Sequence, residues 1–234
     1  MKSIFSLLWV LLIVSEITLA QAETEERNLS TFTGISLRIP GKLHLTQGNV
    51  QRVEINAKSA TLKDVITEVN GRQLVIRFAS RNLLSRTFDP GKIEMYITIP
   101  EVSGLSVSGS GDIIGEGEIK ALITDFSVSG SGNITLDRLN CDRIKSVVSG
   151  SGDIILNGDK KASEFTGVIS GSGNIKASGL EAENVDITIS GSGNGSVRSN
   201  GHIKVKIVGS GNLYYSGNPD IDSSVVGSGN IRKN

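Results

Sequence analysis

A single cysteine, Cys141, in 234 residues excludes any internal disulfide, so no covalent staple holds this chain together. Prolines number only four, and aromatics make up 4% of the chain, which leaves the core to aliphatic side chains. Neither sign of charge dominates: 24 Lys and Arg face 24 Asp and Glu. That balance provides no basic footprint for nucleic acid or anionic lipid. The one long apolar run, Ile4 to Leu19, is broken by Glu16 and falls short of a membrane span. Lys2 precedes it and Ala20-Gln21-Ala22 follows, so residues 1–22 are expected to be a signal peptide cleaved after Ala22. The mature chain is expected in the periplasm or at the cell surface, without an integral span. Cys141 lies far from the cleavage site, so no lipid is expected there, and it is expected to be an inert structural residue.

What the chain has in quantity is glycine, 28 residues, and much of it sits in one phrase that recurs seven times. The phrase is SGSGD at Ser108–Asp112 and Ser149–Asp153, and SGSGN at Ser129–Asn133, Ser170–Asn174 and Ser190–Asn194. VGSGN follows at Val208–Asn212 and Val226–Asn230. The closing residues, Asp112, Asn133, Asp153, Asn174, Asn194, Asn212 and Asn230, are spaced by 21, 20, 21, 20, 18 and 18. A fixed period near twenty marks a solenoid.

Aligned on the phrase, the copies form columns. Val107, Val128, Val148, Ile169, Ile189, Ile207 and Val225 precede it without exception. Ile113, Ile134, Ile154, Ile175, Gly195, Leu213 and Ile231 follow it. Upstream the pattern alternates, as in Ile203-Lys204-Val205-Lys206-Ile207, which is a strand with one face inward. Glycine suits a corner with positive φ, and Asn or Asp bonds its own backbone there. The expected fold is therefore all-β: a parallel β-helix of 18–21 residues per coil, with the seven marker residues as structural corners. Asp125, Lys145, Thr166, Asp186, Lys204 and Asp222 should then stack in one outward column as a charge ladder.

Residues 23–30 read as a flexible lead, 31–104 as irregular first coils that cap the fold, and 105–234 as the regular repeats. In the irregular part, Asn70-Gly71 between Val65–Val69 and Gln73–Phe78 is a hairpin signal, and a helical turn fits after Ser59. Arg81 to Gly91 breaks the pattern and reads as a surface loop. The last twelve residues are expected to be a half-coil cap that keeps the solenoid monomeric, with Val225 and Ile231 inward.

The runs FTGISLRIPGKLHLTQG, VEINA, LVIRF and IEMYITIPEVSGLSVSGSGDI resemble the bacterial head GIN domain family, whose label is "putative autotransporter adhesin". The resemblance covers about residues 32–234. It implies a right-handed parallel β-helix in secreted or surface-associated proteins, and it brings no catalytic residues to carry over. The chain departs from a true autotransporter in stopping at Asn234 with no sequence for a translocating barrel, so "adhesin" is taken as a family label.

No cofactor and no metal site are expected. A phosphate cradle needs a third glycine and a following helix, but Ile114 and Thr135 stand at that position and strands follow. Calcium wants clustered carboxylates, and five of the seven markers are neutral Asn. His44 and His202 have no partner motif. The expected function is that of a non-catalytic structural or adhesin-like surface in the cell envelope, contacting an envelope glycan or protein. The alternatives are a polysaccharide lyase or hydrolase, and a calcium-binding repeat protein. An enzyme of this class needs a groove between long loops, and only 81–91 is long enough.

Overall fold

A computed structural model describes residues 22–79 and 89–234. The expected signal peptide, as far as residue 21, and most of the loop read at 81–91 lie outside the described residues. The elements in chain order are β1 (Ala22–Glu26), β2 (Gly34–Leu37), β3 (Lys42–Gln47), β4 (Arg52–Lys58), α1 (Ser59–Asp64), β5 (Val65–Asn70) and β6 (Gln73–Phe78). Next come β7 (Glu94–Ile99), β8 (Gly104–Gly109), β9 (Asp112–Gly130), β10 (Asn133–Gly150), β11 (Asp153–Asn157) and β12 (Ala162–Gly171). The chain closes with β13 (Asn174–Gly191), β14 (Asn194–Arg198), β15 (His202–Gly209), β16 (Asn212–Ser216), β17 (Asp220–Gly227) and β18 (Asn230–Lys233). Strands make up 72% of the chain and wind a parallel β-solenoid of about six turns.

The register follows the recurrent phrase. Val148 pairs with Val128 on one side and Ile169 on the other, and Ile134 pairs with Ile113 and Ile154. Both inward columns are wholly buried up to Ile207 and Leu213. Each buried member contributes roughly 1.5–3 kcal/mol of transfer free energy. Gly195 interrupts the second column, and Ile187 and Leu213 crowd into the space its side chain leaves. Coil length varies without disturbing the columns, because the variation falls on a third side. Between Ala177 and Asn184 lie six residues, whereas between their partners Val197 and His202 lie four.

The core alternates large and small residues between coils. Ser146 stands in register between Phe126 and Gly167, and Phe165 packs against Gly167. The hydroxyls of Ser146 and Thr124 are buried there without a hydrogen-bond partner among the described residues. An unsatisfied buried hydroxyl costs about 1–3 kcal/mol. Ser146→Ala should therefore raise stability by about 1 kcal/mol, since only the orphaned oxygen is lost. Denaturant midpoints check this, and a clear fall in midpoint would show that the hydroxyl is satisfied in solution.

The first part of the chain is laid out of order. β2 lies between β6 and β8, and β3 lies between β7 and β9, all parallel. The chain thus forms 34–47, builds 52–99 on the outer side of that coil, and returns to continue from 104 on its inner side. The outer end is closed by antiparallel strands: β5 on β6, β4 on β7, and β1 on β4. α1 runs from β4 to β5 across this end and buries Thr61 and Leu62. The hairpin read at Asn70-Gly71 is β5–β6, with Gly71 at φ 63°. Where a flexible lead is expected from sequence, Ala22–Glu26 is instead β1, because the unpaired edge of β4 accepts it. At the other end, β17 and β18 form a further coil in full register on β15 and β16. Val225, expected inward, stands in register on Ile207 and is 40% exposed, with no further coil over it among the described residues.

Candidate functional site

The seven marker residues form one continuous ladder at a corner. Asn133 Nδ2 donates to Asp112 Oδ1 at 2.7 Å, and the backbone N–H of Asp153 donates to Asn133 Oδ1 at 3.0 Å. Asn174 donates to Asp153 Oδ1 through its backbone at 3.1 Å and its amide at 2.8 Å. Asn194 and Asn212 repeat that pair of bonds, and Asn230 Nδ2 reaches Asn212 Oδ1 at 3.4 Å. Asn serves this role because it both donates and accepts. Asp153 can only accept, and Lys176 Nζ completes its shell at 2.6 Å. Burial pushes the Asp153 carboxyl up, but hydrogen bonds from Lys176 and Asn174 outweigh it and hold the group below its ordinary value.

The ladder and Lys176 engage Asp112 Oδ1 and both carboxylate oxygens of Asp153 in hydrogen bonds. Asp112 and Asp153 are separated by Asn133, and no group of three His, Cys, Asp or Glu side chains is placed to hold a metal among the described residues. Heating the mature protein in calcium and then in chelator should give the same unfolding midpoint. A calcium-dependent rise of several degrees would show that the corners ligate the ion.

The outward charge column is in register as expected. Lys145 lies between Asp125 and Thr166, and Asp186 between Thr166 and Lys204, which in turn faces Asp222. Exposed neighbours of opposite sign contribute only about 0.2–1 kcal/mol each. Cys141 is buried beside Ala121, and desolvation pushes its thiol up, as befits an unreactive core residue.

Sequence reasoning gave His44 no partner, and the structure gives it two. Its ring stacks on Tyr96 with centroids 5.0 Å apart and planes 13° from parallel, and Nδ1 lies 2.8 Å from Glu116 Oε1. These residues are far apart in sequence and meet only because β3 is inserted between β7 and β9. His202 has Asp220 at 3.9 Å.

The same face carries an outward stripe in register across the solenoid: Tyr96, His44, Ile114, Thr135, Ile155 and Lys176. All are partly or fully exposed. The ladder of Asn and Asp side chains flanks this stripe two residues earlier along each regular coil, as Asp112 does Ile114 and Asp153 does Ile155. The arrangement is a flat surface with aliphatic and aromatic groups beside planar polar ones, suited to contact over an area.

These features define a parallel β-solenoid closed at one end by antiparallel strands, with flat exposed faces. The chain belongs to the family described as "Putative auto-transporter adhesin, head GIN domain", whose model matches residues 31–219. The crystal structure of a "putative adhesin" from Bacteroides fragilis is similar in fold, with a TM-score of 0.85 at 24% identity, covering 92% of this chain and 97% of that one. A "putative lipid binding protein" from Parabacteroides distasonis matches with a TM-score of 0.76 at 24% identity, over 92% and 98% of the two chains. A "putative adhesin" from Parabacteroides merdae matches at 0.70 and 19%, over 92% and 97%. No curated protein matches the chain. The family and the fold together fit a non-catalytic, adhesin-like protein. No helix among the described residues is long and apolar enough to cross a membrane.

Proposed function

We propose that this protein is an exported, non-catalytic binding module of the bacterial cell envelope, which engages an envelope glycan or protein through a flat face of its solenoid. The observation that carries this reading is the exposed stripe from Tyr96 to Lys176 beside the Asn/Asp ladder. Apolar groups and hydrogen-bonding groups alternate there at strand spacing, which suits a long ligand lying across several coils. The corner ladder and the charge column are structural in this reading, and the seven marker residues act as corners only.

The test uses the mature chain beginning at Glu23, with purified envelope polysaccharide on one sensor and an envelope protein fraction on another. Reversible binding to one of them is expected, weakened at least tenfold by Ile155→Glu, which changes the face without entering the core. The polysaccharide should show no new reducing ends after incubation. Binding untouched by Ile155→Glu would overturn the assignment of the face, and turnover of the polysaccharide would overturn the non-catalytic reading.

A further inference from the structure

The solenoid ends differently at its two extremities. At the first, α1 and the antiparallel strands close the coils, and their Leu62 and Val65 are buried. At the last, β17 pairs only with β15 and β18 only with β16 among the described residues, so both outer edges are unpaired. The coil they form is in full register, where the sequence predicts a half-coil cap. An unpaired strand edge is a template for pairing with another chain.

Apolar exposure is concentrated at the same end. Serine opens the first five phrases, but Val208 and Val226 open the last two, and they are 41% and 62% exposed. The inward columns run on to Ile221, Val225 and Ile231, in register with Ile203, Ile207 and Leu213. Those three predecessors are wholly buried, whereas the members in the last coil have no coil over them among the described residues. The two open strands also differ in charge: β17 carries Asp220 and Asp222, and β18 carries Arg232 and Lys233.

We propose that this open end is a dimer interface, where two copies of the chain stack end to end across a two-fold axis at the corner between β17 and β18. Such an axis lays β17 of each copy antiparallel to β18 of the other, so one contact satisfies all four edges. Matching inward residue to inward residue puts Val225 opposite Ile231 and Ser223 opposite Lys233. Apolar then meets apolar, and the serine hydroxyl accepts from the ammonium. On the outward side Asp222 stands diagonal to Arg232 of the second copy, within reach of a long side chain. A head-to-tail stack would match β18 with the acidic β1, but it would set the acidic β17 against β5 and its Glu68, and place α1 over the open core. The inference concerns association of the chain with itself and is independent of the ligand proposed above.

Sedimentation equilibrium of the mature chain tests this. A reversible equilibrium between monomer and dimer is expected, with no larger species. Asp222→Arg and Arg232→Asp should each raise the Kd of the dimer tenfold or more, because each sets like charges across both halves of the contact. Both side chains are exposed, so far-UV circular dichroism of the two variants should match the wild type. An equimolar mixture of the two variants should dimerise as tightly as the wild type, since opposite charges then face each other at both places. Asp186→Arg, in the same outward column two coils earlier, should leave the Kd unchanged. A chain that stays monomeric at every concentration would overturn the proposal, as would growth into open-ended chains. A dimer that withstands both charge reversals, or folded variants that stay apart when mixed, would overturn it equally.

Discussion

Alanine in place of Gly152 is expected to destabilise the solenoid by about 3 kcal/mol, at the upper end of what overpacking costs. From Gly132 onward, the second glycine of each phrase stands directly over the carbonyl oxygen of its counterpart one coil back. At Gly152 a Cβ would fall far under 3.0 Å from the Gly132 oxygen, with Val128 Cγ1 at 2.7 Å on another side. The first obstacle is backbone, so relief requires the corner to move. The corner is tied to its neighbours: Gly152 N–H donates to Gly130 O at 3.0 Å, and Gly152 O accepts from Asn174 N–H at 3.2 Å. Shifting one corner therefore disturbs the bonds to the coils on both sides. Gly71→Ala is the control, because its φ is 63° and nothing lies within 4 Å of the added Cβ. That change should cost only about 1–2 kcal/mol, the ordinary penalty of a left-handed alanine. Equal losses from the two in denaturant unfolding would mean that positive φ elsewhere in the phrase, and not the close approach of glycines, limits the corner.

Ile169→Ala should cost about 2–5 kcal/mol through lost burial and the cavity left behind. Ile169 is fully buried, in register with Val148 and Ile189. Its Cγ2 also lies where a Cβ on Gly193 would stand, 2.7 Å from it, so the isoleucine fills the space that the glycine of the next coil leaves open. Gly193 has no side chain with which to close the cavity. Ser170→Ala, next in sequence and exposed, should change stability by less than about 0.5 kcal/mol. Unfolding midpoints of the two variants measure the difference, and comparable losses would mean that the inward and outward faces are assigned wrongly.

The regular coils were legible residue by residue. The phrase repeats at near-constant spacing, strand side chains alternate with period two, and stacking in register then places Val148 against Ile169 and Asp186 against Lys204 without further information. Gly71 likewise declared its hairpin locally. From residues 31 to 100 the phrase is absent, and there alternation fixes which way a side chain points but not which strand lies beside it. Only the tertiary structure decided that β2 and β3 lie between later strands, that β4, β5 and β1 turn antiparallel to close the end, and that His44 meets Tyr96 and Glu116. A periodic sequence specifies its neighbours because each coil is its own template, whereas aperiodic strands find partners only through edge pairing and burial across the folded chain.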